Sequence, residues 1–215
     1  MINVMTKIQE QFGFQKPPHG LFYSFDRALR FELGGEGFGS DRPIRRFVQA
    51  HERANTISQT LFENSSEVFV LLSSYGTEKP KKKRLKSLKL CGIKRREIQY
   101  LCREPQQDAE HIAAFGNDIF RHWEVAKLED RRAISEILWL GIASEMAIEP
   151  SFRGSLSAYL VDLSNGLMLH VYDDRGMDII ATNEVPLKKL FTTYRSWLLE
   201  YDLPQMTAMF GGGTQ

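Results

Sequence analysis

Apolar positions recur along this chain with two periods. Val4, Ile8 and Phe12 fall at four-residue spacing and predict a short amphipathic helix over 3–12, with Gly13 placed to stop it. Pro17-Pro18-His19-Gly20 breaks the chain. Leu29, Phe31 and Leu33 then alternate with Arg30 and Glu32, the period-two signature of a half-buried strand. Glycines at 34, 35, 37 and 39 make the next stretch a loop. Beyond it, Asp41 is placed to cap a helix and Pro43 fits its first turn. Ile44, Phe47, Val48, His51, Ala54, Ile57, Leu61 and Phe62 then give about five helical turns one apolar face.

Val68 to Leu72, within Glu67–Ser73, reads as a central strand buried on both faces, and Phe120–Leu128 as another strand. Between them, Lys79–Arg96 is basic with interspersed leucines, predicting a short helix and then an extended piece. Glu104–Glu110 is polar and holds Pro105, so a mobile loop is expected; 79–110 as a whole reads as a variable, partly mobile segment. Ser135–Met146 favours a helix, ended by Glu149-Pro150. Ser157–Leu163 and Leu167–Asp173 flank Ser164-Asn165-Gly166 and predict a hairpin, with Asn-Gly supplying positive backbone angles. Asp178–Ala181 gives a third strand.

Thr182 or Asn183 caps a closing helix whose face carries Leu187, Leu190, Phe191, Tyr194, Leu198 and Tyr201; Pro204 separates it from a last turn and a flexible tail at 211–215. With no repeat and no long linker, the expectation is a single α+β domain over 1–215. Its sheet is antiparallel-rich, or mixed, with a long helix after the first strand and a C-terminal amphipathic helix packed on it.

Composition narrows the class. With 42% hydrophobic and 26% charged residues over 215 positions, the chain resembles a soluble globular protein and not a disordered or collagenous one. Its longest apolar stretch, Ile137–Ala143, is far short of a membrane span, and residues 1–7 lack the apolar core of a secretory signal. Cys91 and Cys102 stand in no zinc-ligand spacing, and a chain this long needs no disulfide. A cytoplasmic protein with two reduced thiols and no membrane partner is expected. The formal net charge of +1 conceals an asymmetry. The ten basic residues of Lys79–Arg96, with no acid among them, leave 18 basic against 27 acidic side chains elsewhere, a formal −9.

Chemistry concentrates in His170-Val171-Tyr172-Asp173-Asp174-Arg175-Gly176-Met177-Asp178. Extended backbone would put His170, Tyr172 and Asp174 on one face. Carboxylates beside an imidazole can bind a hard cation or move protons, with Asp162 on the paired strand as a further ligand. The same side chains can equally brace a turn: the aspartates accept backbone N–H bonds and Arg175 pairs with an acid. Arg30 and Glu32 are either a solvated strand face or the anchor of a cleft. The glycine loop lacks GxGxxG and any following GKS, and His51-Glu52 fails HExxH because Asn55 stands where the second histidine belongs. No GxSxG occurs, so nucleophilic catalysis has no support.

The basic stretch, with Lys81, Lys82, Lys83, Arg84, Arg95 and Arg96 as its electrostatic candidates, admits three readings: a solvated face, an acidic protein partner, or nucleic acid. Nucleic acid is the least favoured of these, because no aromatic interleaves the cations before Tyr100.

Several stretches also carry a resemblance. Asp26-Arg27-Ala28-Leu29-Arg30-Phe31-Glu32-Leu33-Gly34 is followed by Arg46-Phe47-Val48-Gln49-Ala50 with Glu52-Arg53-Ala54, then by Leu169 to Ala181 containing Tyr172-Asp173-Asp174-Arg175-Gly176 and Asp178, and by Tyr194-Arg195-Ser196-Trp197. In this order they are similar to the bacterial domain of unknown function 3885 family, with its RFELG strand, its F-QA-RA helix and its YDDRG-D turn. The likeness runs from Leu21 to Phe210 and lapses over Lys79–Glu110.

The family brings no established activity, cofactor or catalytic residue. The resemblance implies an immunity-like role by association and singles out Arg30, Glu32, Tyr172, Asp173, Asp174, Arg175 and Asp178. The expected function is a non-enzymatic protein-binding module of that kind, with no cofactor and no resident metal assigned. One alternative is an enzyme or metal-dependent protein built on His170, Asp173, Asp174 and Asp178; the other is nucleic-acid binding through Lys79–Arg96. Oligomeric state is left open.

Overall fold

The computed structural model describes residues 4–35, 42–80, 82–105, 112 and 118–211. The four-residue apolar spacing folds as α1 (Val4–Phe12), with Gly13 at φ +77° behind it. A 3-10 turn at Phe22–Ser24 leads to β1 (Ala28–Glu32). The long helix α2 (Pro43–Leu61) has Pro43 in its first turn; Asp41, read as its cap, lies outside the described residues. Next come β2 (Phe69–Gly76), a run of 3-10 turns over Lys82–Cys91, a further turn at Arg95–Glu97, and β3 (Gln99–Pro105). Then follow β4 (Phe120–Lys127), α3 (Arg132–Glu145), β5 (Ser157–Asp162), β6 (Leu167–Val171), β7 (Gly176–Ala181), α4 (Glu184–Thr193) and α5 (Leu203–Phe210).

The strands form one sheet in the order β1-β7-β6-β5-β2-β4-β3, with every pairing antiparallel. The mixed alternative therefore falls, and the fold is a single α+β domain. β2 is an interior strand, paired with β4 on one side and β5 on the other, as its two-sided apolar pattern requires. Register defines the two faces. Leu29, Ile179, Leu169, Leu160, Val70 and Ala126 stand opposite one another across six strands and point toward the layer of α2, α3 and α4. The next row, Arg30, Asp178, His170 and Tyr159, points the other way, beneath the N-terminal arm at residues 18–23.

Four local readings change. Only Gly166 takes a positive φ in the β5–β6 turn; the connection is held by Asp162, whose carboxylate accepts from the backbone of Ser164 and Asn165 and from the Asn165 amide. On α2, Ile44 and Val48 are 73% and 54% exposed, so the buried stripe runs through Phe47, Ala50, Ala54, Ile57 and Leu61.

The predicted C-terminal helix stops at Thr193: Leu198 instead bridges Phe31, and the Leu199 N–H donates to the Arg30 carbonyl at 3.0 Å. This segment screens the outer edge of β1. Glu104 and Pro105, expected in a loop, end β3, while 106–110 lie outside the described residues. So do 212–215 of the predicted tail.

Candidate functional site

Two regions carry the chemistry singled out in the sequence. The first is the polar row under the arm. β1 and β7 place Arg30 and Asp178 directly opposite each other. The guanidinium grips the carboxylate with Nε to Oδ1 at 2.7 Å and Nη2 to Oδ2 at 3.0 Å, the bidentate geometry that suits this pair. Asp178 is fully buried, and its Oδ2 also accepts the Phe22 backbone N–H at 3.0 Å. Asp202, from the 3-10 turn Glu200–Asp202, approaches Arg30 at 3.5 Å and accepts from the Tyr23 hydroxyl at 3.1 Å. The Tyr23 ring lies 4.4 Å from the guanidinium and that of Tyr172 5.8 Å. Burial alone would lower the Arg30 pKa, but the hydrogen bond and charge of Asp178 prevail and hold it above its usual value.

His170 lies next in the row and is wholly buried, stacked on Tyr159 with ring centroids 4.1 Å apart. Its Nδ1 donates to the His19 carbonyl at 3.0 Å, and its Nε2 has no hydrogen-bond partner among the described residues. Burial, reinforced by the charges of His19 and Arg121, pushes the imidazole down to about 3, so it is neutral in the folded protein. The Tyr159 hydroxyl donates to the Pro18 carbonyl and accepts from Arg121, which also donates to Ser73 at 2.6 Å.

The remaining candidates of this region do not converge with His170 and Asp178. β6 ends at Val171, so Asp173 and Asp174 sit in the following turn and not on a strand. Asp173 accepts from the Arg175 backbone N–H and Nε, both at 2.7 Å. Asp174 pairs with Arg46 of α2, a residue that the sequence reading did not single out as polar chemistry. Glu32 contributes its backbone carbonyl, to Arg53 at 3.1 Å. Asp162 is engaged in its own turn. Among the described residues no three His, Cys, Asp or Glu side chains assemble to hold a metal ion. Burial pushes the Cys91 thiol up to about 12, with the charge of Glu136 adding to it, which makes it a poor nucleophile.

The second region is the basic segment, which folds into 3-10 turns against the helix-side face of β2 and β4. Leu85, Leu88, Cys91 and Ile93 are buried and anchor it. Arg84 turns inward: its Nε donates to Ser74 at 2.7 Å and its Nη2 pairs with the buried Glu124. It is thus a structural cation, contrary to the sequence expectation for it. Lys83, Lys86, Lys89, Lys94, Arg95 and Arg96 are exposed. Arg96 lies 3.9 Å from Glu97, and the other five meet no carboxylate at ion-pair distance among the described residues. Lys81 lies outside those residues, and Lys82 opens the 3-10 run. Lys83, Lys86, Lys89, Lys94 and Arg95 surround a cavity of about 470 Å³ with Leu85, Ile93 and Ile98 as its floor.

Sequence reasoning located the cations but missed that floor. Leu85, Ile93 and Ile98 stand eight and five residues apart, a spacing with neither helical nor strand period.

These features define a seven-stranded antiparallel α+β protein whose polar strand row is internally neutralised and whose basic segment is presented on a folded platform. Its chain belongs to the family described as Domain of unknown function (DUF3885), matched over residues 4–202. It is similar to "Uncharacterized protein YnaE" of Bacillus subtilis (strain 168), with 22% identity over 212 residues that cover 93% of this chain and 99% of that one. No solved structure matches.

Proposed function

We propose that this is a non-enzymatic, cytoplasmic, immunity-like binding module that engages an acidic protein partner through the face built by residues 82–98. One contrast supports this reading. The carboxylates and imidazole that would serve catalysis each have an internal partner, whereas five cations of the basic segment have no ion-pair partner among the described residues. Cations without local partners cost little where they stand, and they speed the approach of a complementary surface. That no helix among the described residues is long and apolar enough to cross a membrane fits the reading without deciding it.

The test is a native pull-down with the tagged chain beside its Lys83→Glu/Lys86→Glu/Lys89→Glu variant. A stoichiometric protein recovered by the first, lost with the second and released by moderate salt is the expected outcome. Recovery of no stoichiometric protein, or equal recovery by both, would count against the proposal. A nucleic-acid reading draws on the same cations and on the exposed Tyr100, 47% accessible on β3. Its hydroxyl is already engaged with His122 at 3.2 Å, and one ring is a narrow stacking platform.

A further inference from the structure

The lysines of the basic face do more than supply charge. Their side chains border the 470 Å³ cavity whose floor is Leu85, Ile93 and Ile98. That volume lies within the range of roughly 300–1,000 Å³ typical of sites that enclose a small organic group. Long lysine stems lay methylenes along apolar surface and hold their ammonium groups at the rim. An apolar centre within a charged rim is the anatomy of a protein–protein contact. A phosphate backbone would meet the rim and leave the floor unfilled.

The surface continues beyond the run. Leu90, 64% exposed, borders a second hollow of about 230 Å³ with His51, Trp139 and Pro150. Lys89 lines the first cavity and Leu90 the second, so the two hollows adjoin along the chain at Lys89-Leu90.

We infer that this cavity is an anchor socket for an apolar side chain carried, between carboxylates, on an acidic segment of a protein partner. The inference rests on the proposed acidic-partner reading and adds the feature that would confer specificity. Charge brings the partner to the face, and only a segment with a leucine- or phenylalanine-like side chain among its acids fills the floor. Such an anchor, removed from water in a pocket ringed by polar groups, is where binding energy concentrates.

The test uses the full chain and three fluorescent probes. The first is an acidic peptide of roughly a dozen residues with two leucines among its glutamates, long enough for an extended or helical segment. The second is the same peptide with serines in place of the leucines, and the third a single-stranded oligonucleotide of similar charge. The leucine peptide is expected to bind at least about tenfold more tightly than the serine peptide, as burial of one leucine side chain implies. It should also shift the methyl resonances of Leu85, Ile93 and Ile98 and lose affinity to Lys86→Glu/Lys89→Glu, whose exposed positions leave the fold intact.

Equal binding of the two peptides with unmoved methyl resonances overturns the socket and leaves the acidic-partner reading standing. Binding of the oligonucleotide alone, falling steeply with salt, overturns both. So does the absence of binding by all three probes.

Discussion

The row under the N-terminal arm and the basic platform use the same kinds of side chain to opposite ends. In the row, Arg30 meets Asp178 across paired strands, Asp202 and Tyr23 close around it, and the arm seals the assembly. On the platform, Lys86 and Lys89 leave a folded surface with no acid in reach among the described residues. Arg84 shows that the distinction does not follow from sequence neighbourhood. It stands two residues from Lys86, yet points into the fold to neutralise Glu124, which is 1% exposed. Charge density along a chain says where cations are; only the partner that each one finds says whether it braces or recruits.

The sharpest way to break the contrast is Asp178→Ala. It removes the acceptor of three hydrogen bonds, leaving Arg30 as a partly buried cation and the Phe22 N–H unpaired. Breaking a buried ion pair from one side costs about 3–5 kcal/mol. Urea unfolding should show a loss of that size; a loss below about 1 kcal/mol would mean that the row is not bracing. Asp178→Asn, which keeps the shape and the Phe22 bond, is expected to lose less.

Next comes Gly176→Ala. A methyl there would meet the Phe31 carbonyl oxygen at 2.8 Å and the Tyr172 hydroxyl, so the strand pair beside Arg30 must open. Overpacking of this kind costs about 1–3 kcal/mol. A midpoint unchanged from the parent would show that β1 and β7 tolerate separation.

Acid tests the same region through His170. Its folded pKa of about 3 lies below the usual 6.5, so folding favours the neutral ring. That contribution is complete above pH 6.5 and is lost as pH falls toward 3, because the unfolded chain takes up the proton first. Between pH 6.5 and 5 the loss amounts to about 1.5 kcal/mol. His170→Phe keeps a ring against Tyr159 and should flatten the stability profile over that interval, even from a lower starting value. A variant with the slope of the parent would assign the acid sensitivity elsewhere.

The sequence displayed much of this fold because its strands are two-sided and its turns are chemically marked. Leu29-Phe31 alternation, the apolar β2 and the Asn165-Gly166 turn are local signals with local causes. β3 escaped because an edge strand exposed along most of its length needs no apolar period, and Pro105 at its end reads as a breaker. The C-terminal helix was overextended because Leu198 keeps helical spacing while its actual partner, Phe31, lies on β1. The same gap affects the site. Arg30 and Asp178 were both singled out, yet their pairing spans 148 residues and depends on register, which no local pattern encodes. Glu124 as the partner of Arg84 was hidden in the same way.

The smallest effect sharpens the comparison most. Lys86→Glu/Lys89→Glu alters two exposed side chains with no ion-pair partner among the described residues, so each should change unfolding stability by no more than about 0.5 kcal/mol. Arg84→Ala is the control from the same run. It leaves Glu124 uncompensated beneath the platform, and it should lower the midpoint clearly while removing one charge where the double variant reverses two. If net basicity of the segment governed its stability, the double variant would do more damage. If partner geometry governs it, Arg84→Ala does more, and circular dichroism followed through a urea titration separates the two. A destabilised double variant would mean that those lysines, too, are bracing, and the distinction between the two regions would dissolve.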